Sequence, residues 1–160
     1  MVYRFSGISL KQGKEALVRA RLMKRVRALR MASIDAYMKY IQSDEGVGEL
    51  ISMIDAMTTN KTGFFREAEH FNFLREKILP EIQGSKMRFW SAACSSGEEP
   101  YTIAITLKEY FKEYEDIDIK VLATDIDTNV LAKAQEGVYT FEQVEPIHLD
   151  ILKKYFYRGS

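Results

Sequence analysis

One stretch constrains this chain more than any other: W90-S-A-A-C-S-S-G-E-E-P-Y-T-I-A-I105. The mostly apolar run Met87 to Ala93 ends in small residues, and a single glycine, two acids and a proline then lead into a helical pattern. That order is the strand, phosphate-type loop and helix start of a nucleotide-binding βα unit. A later segment, A123-T-D-I-D127, reads as a second buried strand ending in a carboxylate, where such folds hold a ribose. Together the two segments call for an adenosine-containing cofactor. A dinucleotide loop presents bare amides and several glycines to a pyrophosphate. Here Glu98 and Glu99 stand in that place. Carboxylates repel phosphate and suit a ligand carrying an ammonium or sulfonium charge.

Periodicity divides the chain into two regions. Residues 14–30 predict an amphipathic helix with Val18, Leu22, Val26 and Leu29 on one stripe. Arg21, Lys24 and Arg27 fall on its far side, flanked by Arg19, Arg25 and Arg30. Ser33 or Asp35 is placed to cap a second helix running through Tyr40, and a third covers about Val47 to Met57. The turn formers Thr58 to Gly63 predict a linker. A helix from Glu67 to about Leu79 stops near Pro80 and Gln83-Gly84-Ser85. The pattern then alternates: strand Met87 to Ala93, helix Tyr101 to Tyr114, strand Ile119 to Thr124, and helix Asn129 to Glu136 closed by Gly137. A short helix is expected within Pro146 to Phe156. The fold class is therefore α/β, a small all-α N-terminal domain followed by βαβα units on a parallel sheet.

Composition narrows the function classes. The formal net charge is zero, but Met1 to Ile34 carries nine Lys or Arg against one acid, leaving +8 at the front and −8 behind. A basic front end suits an acidic macromolecular partner, and a solvated helix face is the plain alternative. No apolar run approaches the roughly 20 residues of a membrane span, and the first residues lack the apolar core of a signal peptide. A single cysteine, Cys94, leaves no internal disulfide to form and fits a reducing compartment, with the cytoplasm as the expected location. No cluster of metal ligands surrounds Cys94, so neither thiol chemistry nor a metal site is assigned. His70 and His148 stand isolated, as structural or exposed residues.

Behind a basic helical front stand the motifs T58-T-N-K-T-G-F-F-R-E-A-E-H-F71, W90-S-A-A-C-S-S-G-E-E-P-Y101 and L122-A-T-D-I-D127. In these motifs and their order the chain resembles the CheR-type chemotaxis receptor methyltransferases. The resemblance runs through essentially the whole chain and implies a helical domain over 1–57, a linker and active-site segment over 58–66, and part of a Rossmann-like S-adenosylmethionine-binding domain over 67–160. It also implies transfer of a methyl group from S-adenosylmethionine to glutamate side chains on the cytoplasmic helical domain of chemoreceptors, with S-adenosylhomocysteine as product. Family members continue beyond the position of Ser160, so the pocket is expected to be shared with a part outside this chain, and the activity of the chain by itself is an open expectation.

The resemblance carries over residue by residue. Asn60, Thr62 and Arg66 match positions that reach the cofactor and the active site. Arg66 suits the chemistry, since both the methyl acceptor and the methionine end of the cofactor are carboxylates. A guanidinium holds a carboxylate in a two-pronged geometry worth on the order of 1.5–3 kcal/mol. Locally, Arg66 has the alternative of pairing with Glu67 or Glu69, and Asn60 and Thr62 of acting as ordinary turn or cap residues. Phe64 and Phe65 are expected to pack. Glu98 and Glu99 match the family's paired acids; one is expected at the cofactor's positive charge, and acids there also suit a helix start. Asp125 is assigned to the ribose hydroxyls, with Asp127 better placed as a helix cap. Ala92, Ala93 and Gly97 are small so that backbone approaches the ligand closely.

Methyl transfer to glutamate needs little acid–base help. The acceptor carboxylate, with an ordinary pKa of roughly 4.3, is already ionised. Catalysis then rests on alignment and on shielding charge from water. Arg21, Lys24 and Arg27 are assigned to docking on acidic receptor helices. The competing function is a non-catalytic module that binds cofactor or docks on receptors. A nucleic-acid role is disfavoured, because no aromatic residues interleave with the arginines.

Overall fold

The computed structural model describes residues 3, 6–8, 13–82, 84–112 and 117–159. The basic residues Arg4 and Lys11, the turn residue Gln83 and the expected helix end at Tyr114 lie outside them. The chain divides into two units, Met1–Thr59 with Ile126–Asn129, and Asn60–Asp125 with Val130–Ser160.

In the first unit the periodic apolar residues give the helices α1 (Glu15–Ala28), α2 (Ile34–Tyr40) and α3 (Glu49–Met57), with a 3₁₀ turn at Asp44–Gly46. Ser33 caps α2, its Oγ accepting from the Ala36 N–H at 3.1 Å. Val26, Tyr37, Ile41 and Met53 form the buried core, with Leu22, Met23 and Leu50 packed around it. The predicted stripe on α1 therefore faces inward, except at its end. Leu29 is 38% exposed, because the helix stops at Ala28 and Leu29 turns away as its cap.

The same unit corrects the assignment of Arg21. Expected on the outer face with Lys24 and Arg27, it donates instead to the Met57 carbonyl and, at 3.0 Å, to Thr59 Oγ1. The reason lies in the end of α3, whose last carbonyls have no intrahelical donor and take the guanidinium as a cap. Arg25, one turn along α1, grips Glu49 with two bonds of 2.7 and 2.8 Å, and Tyr37 Oη donates to the same carboxylate at 2.9 Å. Lys24 and Arg27 are exposed as expected.

Residues Ile126–Asn129 belong to this unit through polar bonds. Asp55 accepts from the Thr128 N–H (3.2 Å), Thr128 Oγ1 (2.9 Å) and Asn129 Nδ2 (3.0 Å). Asp127 accepts from the Asn129 N–H at 3.0 Å, the capping role expected of it, and from Thr58 Oγ1 at 2.6 Å.

The second unit holds the sheet. Strands β1 (Lys86–Ala92) and β2 (Asp118–Thr124) pair in parallel, in a register that runs from Lys86 with Asp118 to Ala92 with Thr124. Helix α5 (Glu98–Tyr110) packs against both strands. Side chains alternate between faces with period two. Met87 and Ser91 are buried, whereas Trp90 and Leu122, partners in the register, are 67% and 59% exposed on the opposite face.

The helix expected from Glu67 to Leu79 is broken into α4 (Ala68–Phe73), a π turn (Leu74–Ile78) and a 3₁₀ turn (Leu79–Glu81). Pro80 lacks the N–H that a continuing α-helix needs, and the backbone changes its hydrogen-bond pitch before it. Helix α6 (Thr128–Glu136) ends at Gly137, whose φ of 62° lets its N–H close on the Lys133 carbonyl at 3.1 Å. The short helix α7 (Phe141–Val144) was not expected. Its Thr140 and Gln143 form a reciprocal capping box, a T-x-x-Q pattern present in the sequence. Helix α8 (Leu149–Tyr155) follows. Phe64, Val144 and Ile147 make a satellite core, where Phe64 meets Tyr139 and Phe156 edge-on at centroid distances of 4.8 and 5.3 Å.

Candidate cofactor site

The loop between β1 and α5 is built from alternating left-handed residues: Ala93 (φ 70°), Ser95 (φ 50°) and Gly97 (φ 99°). For the two non-glycine residues this conformation costs on the order of 1–3 kcal/mol each, and it persists only where the surroundings enforce it. The enforcing contacts come from the end of β2. The Thr124 carbonyl accepts from the N–H groups of both Ala93 (2.8 Å) and Cys94 (2.9 Å), and Asp125 Oδ2 accepts from the Ser95 N–H at 2.8 Å. The predicted ribose carboxylate and the predicted loop are thus brought together. Ala92 is exposed at the end of β1.

Gly97 has a protein-side reason to be glycine besides its φ. A Cβ there would lie 2.7 Å from Tyr139 Oη and 3.0 Å from Ala134 Cβ, so α6 and the segment after it occupy that space. Cys94 is fully buried, and burial followed by the Asp125 charge pushes its thiol pKa up.

The two glutamates point to different surroundings. Glu98 is 3% exposed; its Oε2 accepts from Ser96 Oγ at 2.7 Å and its Oε1 from Gln143 Nε2 at 3.2 Å. Glu99 is exposed, and Ser91 Oγ, on the buried face of β1, donates to it at 2.7 Å. Both lie in the first turn of α5, which begins three residues earlier than expected and takes Pro100 as its third residue, where an N–H has no intrahelical partner in any case.

The segment 60–66 lies against the same helix. The Phe65 N–H donates to Thr102 Oγ1 at 3.2 Å, and Phe64 is buried in the satellite core. Phe65 and Glu67 both have positive φ (52° and 55°), so the backbone is strained on each side of Arg66. The contacts of Arg66 are local: its Nη1 donates to the Lys61 carbonyl at 2.6 Å, and Nε lies 4.0 Å from Glu67, with the side chain 49% exposed. Asn60 is exposed and Thr62 half-buried. His70 is exposed, and His148 caps α8, its Nδ1 accepting from the Asp150 N–H at 3.4 Å.

Sequence comparison adds the decisive observation. Residues 60–160 match the family profile described as CheR methyltransferase, SAM binding domain, and residues 1–58 match CheR methyltransferase, all-alpha domain. The chain belongs to the CheR methyltransferase family. Among CheR relatives, the chain is 42% identical over 160 residues to chemotaxis protein methyltransferase 2 of Pseudomonas aeruginosa, covering 99% of this chain and 56% of the relative. It is 41% identical over 152 residues to the chemotaxis protein methyltransferase of Borreliella burgdorferi, covering 90% and 54%. With the chemotaxis protein methyltransferase of Escherichia coli K12 it shares 39% over 160 residues, covering 100% and 55%. The chain spans about half the length of the curated CheR relatives it matches.

The cofactor of this CheR domain is S-adenosylmethionine, and the donor chemistry of the site fits it. A sulfonium, an ammonium and two ribose hydroxyls all call for acceptors. The loop offers carboxylates at Glu99 and Asp125, whereas a polyphosphate would meet like charge there. The residue that sequence reasoning missed is Tyr139, whose Oη donates to the Ser96 carbonyl at 2.8 Å. No local motif marks it as belonging to the loop.

Proposed function

We propose that this chain binds S-adenosylmethionine through the β1–α5 loop and Asp125, as the cofactor-binding part of a methyltransferase acting on glutamate side chains of chemoreceptors. The observation that carries the reading is the bond from the Ser95 N–H to Asp125 Oδ2, which fixes a strained loop to the acid at the end of β2. Asp125 holds the ribose and Glu99 faces the cofactor's ammonium. Backbone at Ala92 and Gly97 lines the approach, and Glu98 acts from beneath the loop. Asn60, Thr62 and Arg66 close the site from the linker side, with Arg66 oriented to a carboxylate of the cofactor or of the acceptor. The domain limits are taken as 1–57, 58–66 and 67–160.

The cofactor supplies an electrophilic methyl group on a sulfonium. The protein's share of the chemistry is to align an already ionised carboxylate with that methyl and to exclude water from both charges. No proton has to move, so no general base is required of these residues. Lys24 and Arg27 face solvent on α1 and suit an acidic helical partner, in the cytoplasm where receptor signalling helices lie.

Calorimetry with S-adenosylmethionine, together with a tritiated methyl-transfer assay on receptor membranes, tests the proposal. Binding and transfer are expected for the methyltransferase. Binding without transfer supports the second reading, a cofactor-binding or docking module. Absence of binding sinks the cofactor reading.

A further inference from the structure

We infer that Tyr139 is a positioning residue that couples the two cofactor-facing segments of the second unit, an inference that rests on the S-adenosylmethionine reading of the loop. Tyr139 reaches both segments with different atoms. Its ring packs edge-on against Phe64 at 4.8 Å, and Phe64 belongs to the 60–66 segment. Its hydroxyl donates to the Ser96 carbonyl at 2.8 Å and fills the space that a Cβ on Gly97 would need. Burial, and after it the nearby Glu98 charge, pushes the phenol pKa up, so the hydroxyl stays a donor throughout the working pH range.

Its neighbours complete the brace. Gln143, four residues on, donates from Nε2 to Glu98 Oε1 while its own Oε1 accepts from the Thr140 N–H. Glu98 Oε2 in turn accepts from Ser96 Oγ. Residues 139–143 therefore hold Ser96 by its carbonyl and, through Glu98, by its hydroxyl. The left-handed backbone at Ser95 and Gly97 lies on either side of that anchor. Loop amides are ordered by groups that lie behind the loop and need not touch the ligand.

Two readouts test this. In Tyr139→Phe, amide hydrogen exchange of Ser95 and Gly97 should speed up about fivefold, the loss of one hydrogen bond, and S-adenosylmethionine should bind about fivefold to tenfold more weakly. Phe156→Leu loosens the same aromatic cluster at another contact of Phe64 and should lower the melting temperature while leaving both readouts at the wild-type value. Gln143→Glu keeps the capping box but turns a donor into a like charge opposite Glu98, and should speed the same two amides about threefold. Unchanged exchange in Tyr139→Phe overturns the inference, as does an equal change in Phe156→Leu. If Tyr139→Phe does not fold, unchanged exchange in Gln143→Glu overturns it instead. Failure of the wild-type chain to bind S-adenosylmethionine defeats the cofactor reading alone, since the exchange readout still decides the role of Tyr139.

Discussion

The helical unit and the segment that opens α5 in the sheet unit treat their carboxylates in opposite ways. In the helical unit Glu49 is met by a guanidinium in two-pronged geometry and by a phenol. Burial alone would raise its pKa, but the Arg25 and Tyr37 hydrogen bonds outweigh that and hold it below the ordinary value. At the start of α5, Glu98 and Glu99 accept from serine hydroxyls and a glutamine amide, and among the described residues neither has an ion-pair partner. A charge already neutralised by the protein holds structure together. A charge solvated by neutral donors keeps its field for a cationic ligand.

That contrast predicts effects that separate by unit. The largest is expected at Asp125. Asp125→Ala removes both the anchor of Ser95 and the proposed ribose acceptor, and should weaken S-adenosylmethionine binding about a hundredfold by calorimetry, the worth of about 3 kcal/mol in charge-assisted bonds. A loss smaller than tenfold would break the contrast.

A middle-sized effect is expected in the helical unit. Glu49→Ala should lower unfolding stability by about 2–3 kcal/mol in a denaturant titration, because Arg25 and the buried Tyr37 hydroxyl lose their acceptor. Cofactor affinity measured well below the melting temperature should not move. The pH dependence sharpens the point. A carboxylate with its folded pKa depressed contributes stability that is fully present above the unfolded value, 4.5, and is lost as pH falls through the folded value. The stability gap between wild type and Glu49→Gln should therefore be flat near neutrality and shrink below about pH 4.5.

The smallest effect on stability belongs to the outer face of α1. Replacing Lys24 and Arg27 by Glu should change stability by no more than about 0.5 kcal/mol while weakening capture of receptor membranes, and the loss should fade with added salt. Arg21→Glu should lower stability, since Arg21 ties α1 to the end of α3. Equal behaviour of all three positions would remove the distinction between holding and docking charges.

What the sequence revealed tracks the range of the interactions involved. Ser33 at the start of α2, Gly137 at the end of α6 and Asp127 as a cap were legible because each acts on backbone within four residues. The two strands were legible from their apolar runs and the loop from its small residues, but β2 is not the buried strand expected, since Leu122 is 59% exposed. Arg21 was misplaced because its acceptors lie 36 and 38 residues away, and no helical period encodes the end of another helix. The different surroundings of Glu98 and Glu99 were hidden for the same reason, since Gln143, 45 residues on, bonds to Glu98. The break in the helix before Pro80 and the capping box at Thr140 were readable in principle. Both are local signals that the stronger periodicity around them masked.

Trp90 is the only tryptophan in the chain, and its indole lies 67% exposed on the uncovered face of the sheet with Nε1 donating to Thr124 Oγ1 at 3.0 Å. The protein thereby carries a built-in optical probe at that face. With the face wet, emission should sit at the red end and be readily quenched by iodide. Whatever comes to lie across β1 and β2 should shift it to the blue, and no second indole will confuse the signal.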